Sequence, residues 1–119
     1  MKAAALQMVS TPRVDENLTQ ALALIAQAAT LGAELIALPE YFCLMGHRDA
    51  DKLAIAEPLA DATDPDALTC PMQAMLAHAA KQHGVWLIGG TLPIISHEAQ
   101  RVFNTTLVFN PQGIRVARY

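Results

Sequence analysis

Leu35-Ile36-Ala37-Leu38 is a run of four apolar residues without alternation, closed by Pro39 and followed at once by Glu40. A strand with one wet face alternates apolar and polar residues. An unbroken run suits a strand buried on both faces, in a sheet covered by helices. The flanking segments agree. Leu18, Ala21, Leu22, Ile25, Ala28 and Ala29 recur at helical spacing, with Asp15 placed to accept hydrogen bonds from the first turn and Gly32 placed as a left-handed stop. Pro71–His83 carries a second apolar face, Met72, Met75, Leu76 and Ala79, and Gly84 ends it. Ala4–Val9 and Val85–Ile88 read as strands, and Val102–Phe109 and Ile114–Tyr119 as two more joined by a tight Asn110–Gly113 turn. The acidic, Ala-rich stretch Asp49–Asp66 reads as a short helix and a surface loop. The order β-α-β-α-β-hairpin defines an α/β layered chain without a linker or repeat.

Composition narrows the functions open to such a chain. Its 119 residues carry eight Lys and Arg against eleven Asp and Glu, a net charge of −3, and this argues against a nucleic-acid partner. Alanine fills 22 positions, yet enough larger apolar residues remain for a core of ordinary density. Neither the start of the chain nor any later stretch has the apolar length of a membrane helix, and we expect no membrane partner. Two cysteines cannot build a disulfide framework, so a reducing, cytoplasmic setting fits them best.

Glu40 is the strongest candidate for chemistry. It follows a buried strand at the carboxyl edge of the sheet, where α/β proteins bind ligands. Flanked by Leu38, Pro39, Tyr41 and Phe42, its carboxylate is expected to be partly desolvated and so tuned toward a general base. Position alone also allows a plain surface glutamate. Cys43 could be a thiol nucleophile paired with Glu40 or with His47, but a packed loop cysteine is the commoner case. A metal site from Cys43, His47, Asp49 and Asp51 matches no standard spacing, and no cofactor is expected. Gly89-Gly90-Thr91 lacks a phosphate-binding fingerprint and fits a tight crossing better. His78, His83 and His97 read as structural or solvated. Arg101, Arg115 and Arg118 form a solvated basic face that could attract an anionic substrate.

Taken together, several pieces resemble the N-terminal portion of the nitrilase superfamily of carbon–nitrogen hydrolases. These are Ala4–Met8, the Asp15/Asn17 helix start, Gly32–Phe42 with its strand-Pro-Glu-aromatic signature, Val102-Phe103-Asn104-Thr105 and Asn110-Pro111-Gln112-Gly113. The resemblance covers essentially the whole chain. It implies an α-β-β-α sandwich and a Glu-Lys-Cys triad in which Glu40 is the general base. It further implies a small-molecule amide as substrate, attacked by the Cys to give an acyl-enzyme that water hydrolyses, with Tyr41 and Phe42 as substrate-binding residues. A homo-oligomer is the implied form of the full-length protein. Val9–Pro12 and Pro39–Phe42 look most like the amidases of deaminated glutathione, with the ω-amidases close by.

The catalytic Lys of that pattern would follow the strand ending at Arg118-Tyr119, and the Cys would lie farther on. Lys2, Lys52 and Lys81 match neither place, and nor do Cys43 and Cys70. The expectation is therefore an N-terminal part of a single hydrolase domain, truncated at its C-terminus and inactive alone. Two other classes stay open: a non-catalytic fragment that only oligomerises, and a small nucleotide-binding module built on Gly89-Gly90.

Overall fold

A computed structural model describes all residues, Met1–Tyr119. The elements run β1 (Ala3–Ala5), α1 (Val14–Thr30), β2 (Leu35–Ala37), α2 (Ala50–Ile55), α3 (Pro71–His83), β3 (Trp86–Ile88), β4 (Leu92–Ile95), β5 (Val102–Thr105), β6 (Leu107–Phe109) and β7 (Arg115–Arg118). β1, β2, β3, β6 and β7 form one sheet in that order, while β4 and β5 pair separately. β1, β2 and β3 are parallel, β6 pairs antiparallel with β3, and β7 pairs antiparallel with β6. Parallel neighbours need a crossover between them, and α1 and α3 are those crossovers.

The register explains where the core sits. Ile36 pairs with Leu87 and Leu87 with Phe109, so their side chains share one face of the sheet. All three are buried, under Ala21, Ile25 and Ala28 of α1 and Leu76, Ala79 and Ala80 of α3. Each fully buried side chain of this size contributes about 1.5–3 kcal/mol relative to exposure. The opposite face is different. Leu35 and Ala37 are only half-buried and Trp86 is 39% exposed. The run Leu35–Leu38, expected to be covered on both sides, is covered by helices on one, because α1 and α3 both lie on the same face.

Three local expectations are also corrected. Helix α1 starts one residue before Asp15, and no side chain caps it at Arg13. Asp15 and Glu16 sit inside the first turn instead, where they favour the positive helix end. Val102–Phe109 is not one strand: it divides at Thr106 into β5 and β6, which belong to different sheets. β4 escaped the sequence reading because Pro93 interrupts it, yet Pro93 keeps a strand role through its carbonyl, which accepts from the Glu57 amide. The Gly32 stop and the Asn110–Gly113 turn stand as read, both glycines having positive φ. No helix is long and apolar enough to cross a membrane.

Candidate active site

β2 ends because Pro39 cannot donate to the next strand. The last ladder bond is the Leu38 amide to the Ile88 carbonyl, 2.9 Å. The chain then reverses through Glu40 and Tyr41, and Tyr41 takes φ +48°, an uncommon value for a side chain of its size. That strain is held by neighbours on every side. The Tyr41 amide donates to Thr91 Oγ1 at 2.8 Å. Ser10 Oγ donates to the Phe42 carbonyl at 2.8 Å, and the buried Asn17 donates through Nδ2 to the Cys43 carbonyl at 2.8 Å. The Met45 amide donates to the Thr11 carbonyl at 3.0 Å. Residues 10–17 and 90–91 thus fix the loop that carries Glu40.

Gly89-Gly90 is the tight crossing, not an anion cradle. Gly90 has φ +59°, and a Cβ there would overlap the Pro39 carbonyl oxygen. The two strand ends therefore approach as closely as backbone permits.

The carboxylate of Glu40 accepts a hydrogen bond from Asn104 Nδ2 on β5, at 3.0 Å. β5 is held in turn by β4, where Asn104 pairs with Pro93. Glu40 is exposed, so the expected desolvation is not realised: none of these residues folds over its side chain. Tyr41 is half-buried, with the Lys52 ammonium 4.0 Å above its ring centroid. Phe42 corrects the sequence reading. It is fully buried in the core, because the reversal at Tyr41 turns Phe42, Cys43 and Leu44 inward. It packs in the core behind the Glu40 loop.

Cys43 is likewise a core residue, with its thiol pushed up to about 12 by burial and further by the Glu57 carboxylate, against its own backbone hydrogen bond. A thiol so raised is inert near neutral pH. The segment to His47 is a turn, and His47 is exposed. Cys43, His47, Asp49 and Asp51 do not gather into a ligand group. Arg115 is engaged structurally, donating to the Ala60 carbonyl at 2.8 Å.

Several contributing residues were not legible as site residues. Asn104 and Thr91 reach the Glu40 loop from distant parts of the chain; Asn104 stands in one of the segments that carry the family resemblance, but no role at the site is read from either residue. Glu57 is buried and accepts from the Met72 amide at 2.6 Å and from the amide and side chain of Gln73. It thereby serves the free amides of the first turn of α3 from a distant loop. Its own backbone bridges to Ile94, which anchors β4 and so the strand carrying Asn104. Beside Asn104 lies an open cleft of about 340 Å³ walled by Leu59, Ile94 and Phe103, with Arg118 on its rim. A larger cleft of about 560 Å³ lies against α1 and α3 and includes no member of the Glu40 group.

A mixed sheet with helices on one face and a carboxylate presented beyond the end of β2 defines a layered α/β protein with a candidate site at the sheet edge. The family model described as carbon-nitrogen hydrolase matches residues 2–119, and the chain belongs to that family. It is 37% identical over 118 residues to a deaminated glutathione amidase of Synechocystis sp. (strain PCC 6803 / GT-S), covering 98% of this chain and 40% of that protein. It is 32% identical over 114 residues to omega-amidase NIT2 of Xenopus tropicalis, covering 95% of this chain and 37% of that one. The chain therefore spans about two fifths of the length of these relatives. Its fold matches the C. elegans NitFhit protein (TM-score 0.76, 24% identity, 98% of this chain and 26% of that one). It also matches Saccharomyces cerevisiae Nit3, a member of branch 10 of the nitrilase superfamily (TM-score 0.74, 23% identity, 92% and 39%).

Proposed function

We propose that this chain supplies the general base, Glu40, and part of the pocket wall of an amidase that works through a cysteine acyl-enzyme. The observation that carries the reading is the placement of Glu40. Its carboxylate stands beyond the end of β2, held by Asn104 and presented to the open edge of the sheet. In this reaction Glu40 takes the proton of a thiol, the thiolate attacks the amide carbon, and Glu40 returns that proton to the departing nitrogen, which leaves as ammonia. Ionised again, Glu40 takes a proton from the water that attacks the thioester and passes it to the released thiolate. Cys43 and Cys70 are both buried, so neither is that thiol. The nucleophile and its partner lysine come from outside residues 1–119.

The substrate class is a small amide bearing a carboxylate. Support comes from the cations near the site, Lys52 over Tyr41 and Arg118 on the cleft beside Asn104. The amidase relatives named above point the same way. Tyr41, half-buried next to Glu40, is the residue we assign to the pocket wall. Two free buried cysteines suit a reducing compartment, and we place the protein in the cytoplasm.

The test is ammonia release from ω-amides such as succinamate. We expect none from the 119-residue chain, and turnover when it is joined to the remainder of the Synechocystis relative. Turnover by the isolated chain would overturn the assignment of the thiol to another segment. A second reading, a non-catalytic chain that only self-associates, is favoured by the open sheet face around Trp86, Leu35 and Ala37. A monodisperse oligomer in size-exclusion chromatography, with no turnover from the joined protein, would support it.

A further inference from the structure

We infer that Asn104 is the positioning residue for the base: it decides which oxygen of Glu40 takes the proton and keeps the carboxylate aimed while it does so. This rests on the reading of Glu40 as the general base. The Asn104 amide nitrogen occupies Oε2 at 3.0 Å, and no other donor of the chain bonds to either oxygen. Oε1 is therefore the free oxygen. When a thiol gives up its proton there, the S–H bond breaks, an O–H bond forms at Oε1 and the electron pair stays on sulfur. Oε2 is then the carbonyl oxygen of a carboxylic acid, and it still accepts from Asn104.

The chemistry of the amide suits that cycle. An arginine or lysine in the same place would bind the carboxylate far better than the acid, hold Glu40 ionised and weaken it as a base. A neutral amide donor serves both states without turning over. The support behind it is extended. Asn104 is fixed opposite Pro93, the Pro93 carbonyl accepts from the Glu57 amide, and the Glu57 side chain is tied to the start of α3. An exposed glutamate on a reversing loop is thus referenced to the core through a strand 64 residues away.

Asn104 is exposed and its hydrogen bond is a surface one, so replacing it leaves the fold in place. The experiment compares Asn104→Leu and Asn104→Asp, both close to the native side chain in size, in the protein joined to the remainder of the Synechocystis relative. We expect kcat for succinamate to fall by roughly 10- to 100-fold in each while KM stays within about twofold, as misplacement of a reacting group predicts. Unchanged kcat in Asn104→Leu, alongside a severe loss in Glu40→Gln, would overturn the positioning role and leave the base intact. Retained activity in Glu40→Gln would instead overturn the base reading. In the 119-residue chain, the side-chain amide resonances of Asn104 are expected to shift when Glu40 is replaced by alanine. Resonances unmoved by Glu40→Ala would contradict the contact itself.

Discussion

Gly90 and Pro39 touch backbone to backbone: no side chain, not even a methyl group, fits between the turn after β3 and the carbonyl that precedes Glu40. This contact sets the distance between the ends of two adjacent parallel strands, and the Tyr41 amide bond to Thr91 completes it. Gly90 also needs its positive φ, which an alanine meets only with strain. Gly90→Ala is therefore expected to cost roughly 2–4 kcal/mol, from overpacking and left-handed strain together. Urea denaturation measures it, and a loss below about 0.5 kcal/mol would show that the crossing gives way easily.

Glu57 gives the fold a pH dependence of a definite sign. Burial raises its pKa above the ordinary 4.5, against the hydrogen bonds donated by Met72 and Gln73. The folded chain therefore binds this proton more tightly than the unfolded chain does. The stability that Glu57 contributes is complete below its ordinary pKa and is lost as pH rises through the raised folded value. Glu57→Gln turns a donor toward the Met72 amide and is expected to cost about 1–3 kcal/mol. That cost should shrink from about pH 4 to about pH 7, because only the native side chain titrates. A cost that grows with pH in the same urea series would contradict the assignment.

Cys43 should behave as a core residue. With its thiol raised to about 12 and no exposed surface, it is expected to resist iodoacetamide at about pH 8 in the folded chain and to react once the chain is unfolded. Mass spectrometry of the alkylated protein distinguishes the two. Rapid labelling of Cys43 in the native state would reopen it as a nucleophile.

The elements set by local pattern were legible in the sequence. The apolar spacing of α1 and α3, the unbroken run at β2 and the turn at Asn110–Gly113 all describe neighbours along the chain, and each stands near its expected place. What could not be read depends on partners far away. The division of Val102–Phe109 follows from two sheets competing for one segment. Glu57 is part of an acidic loop by composition, and only the fold shows that it caps α3. At the site, Glu40 was legible from its place after a buried strand, whereas its exposure was not, since that depends on what lies above the sheet edge. Phe42 shares the aromatic signature with Tyr41, but the reversal at Tyr41 leaves the Tyr41 ring half-buried under Lys52 and the Phe42 ring in the core. Asn104 touches Glu40 across 64 residues, a relationship no spacing rule contains.

Glu40 as the base of amide hydrolysis makes one prediction above the others, for kcat with succinamate in the joined protein, Glu40 against Glu40→Gln. Loss of a positioned general base typically removes about 10²–10⁴-fold of rate, and a loss of at least about 100-fold is predicted with the fold intact by circular dichroism. A Glu40→Gln protein that releases ammonia at the rate of its parent would contradict the account.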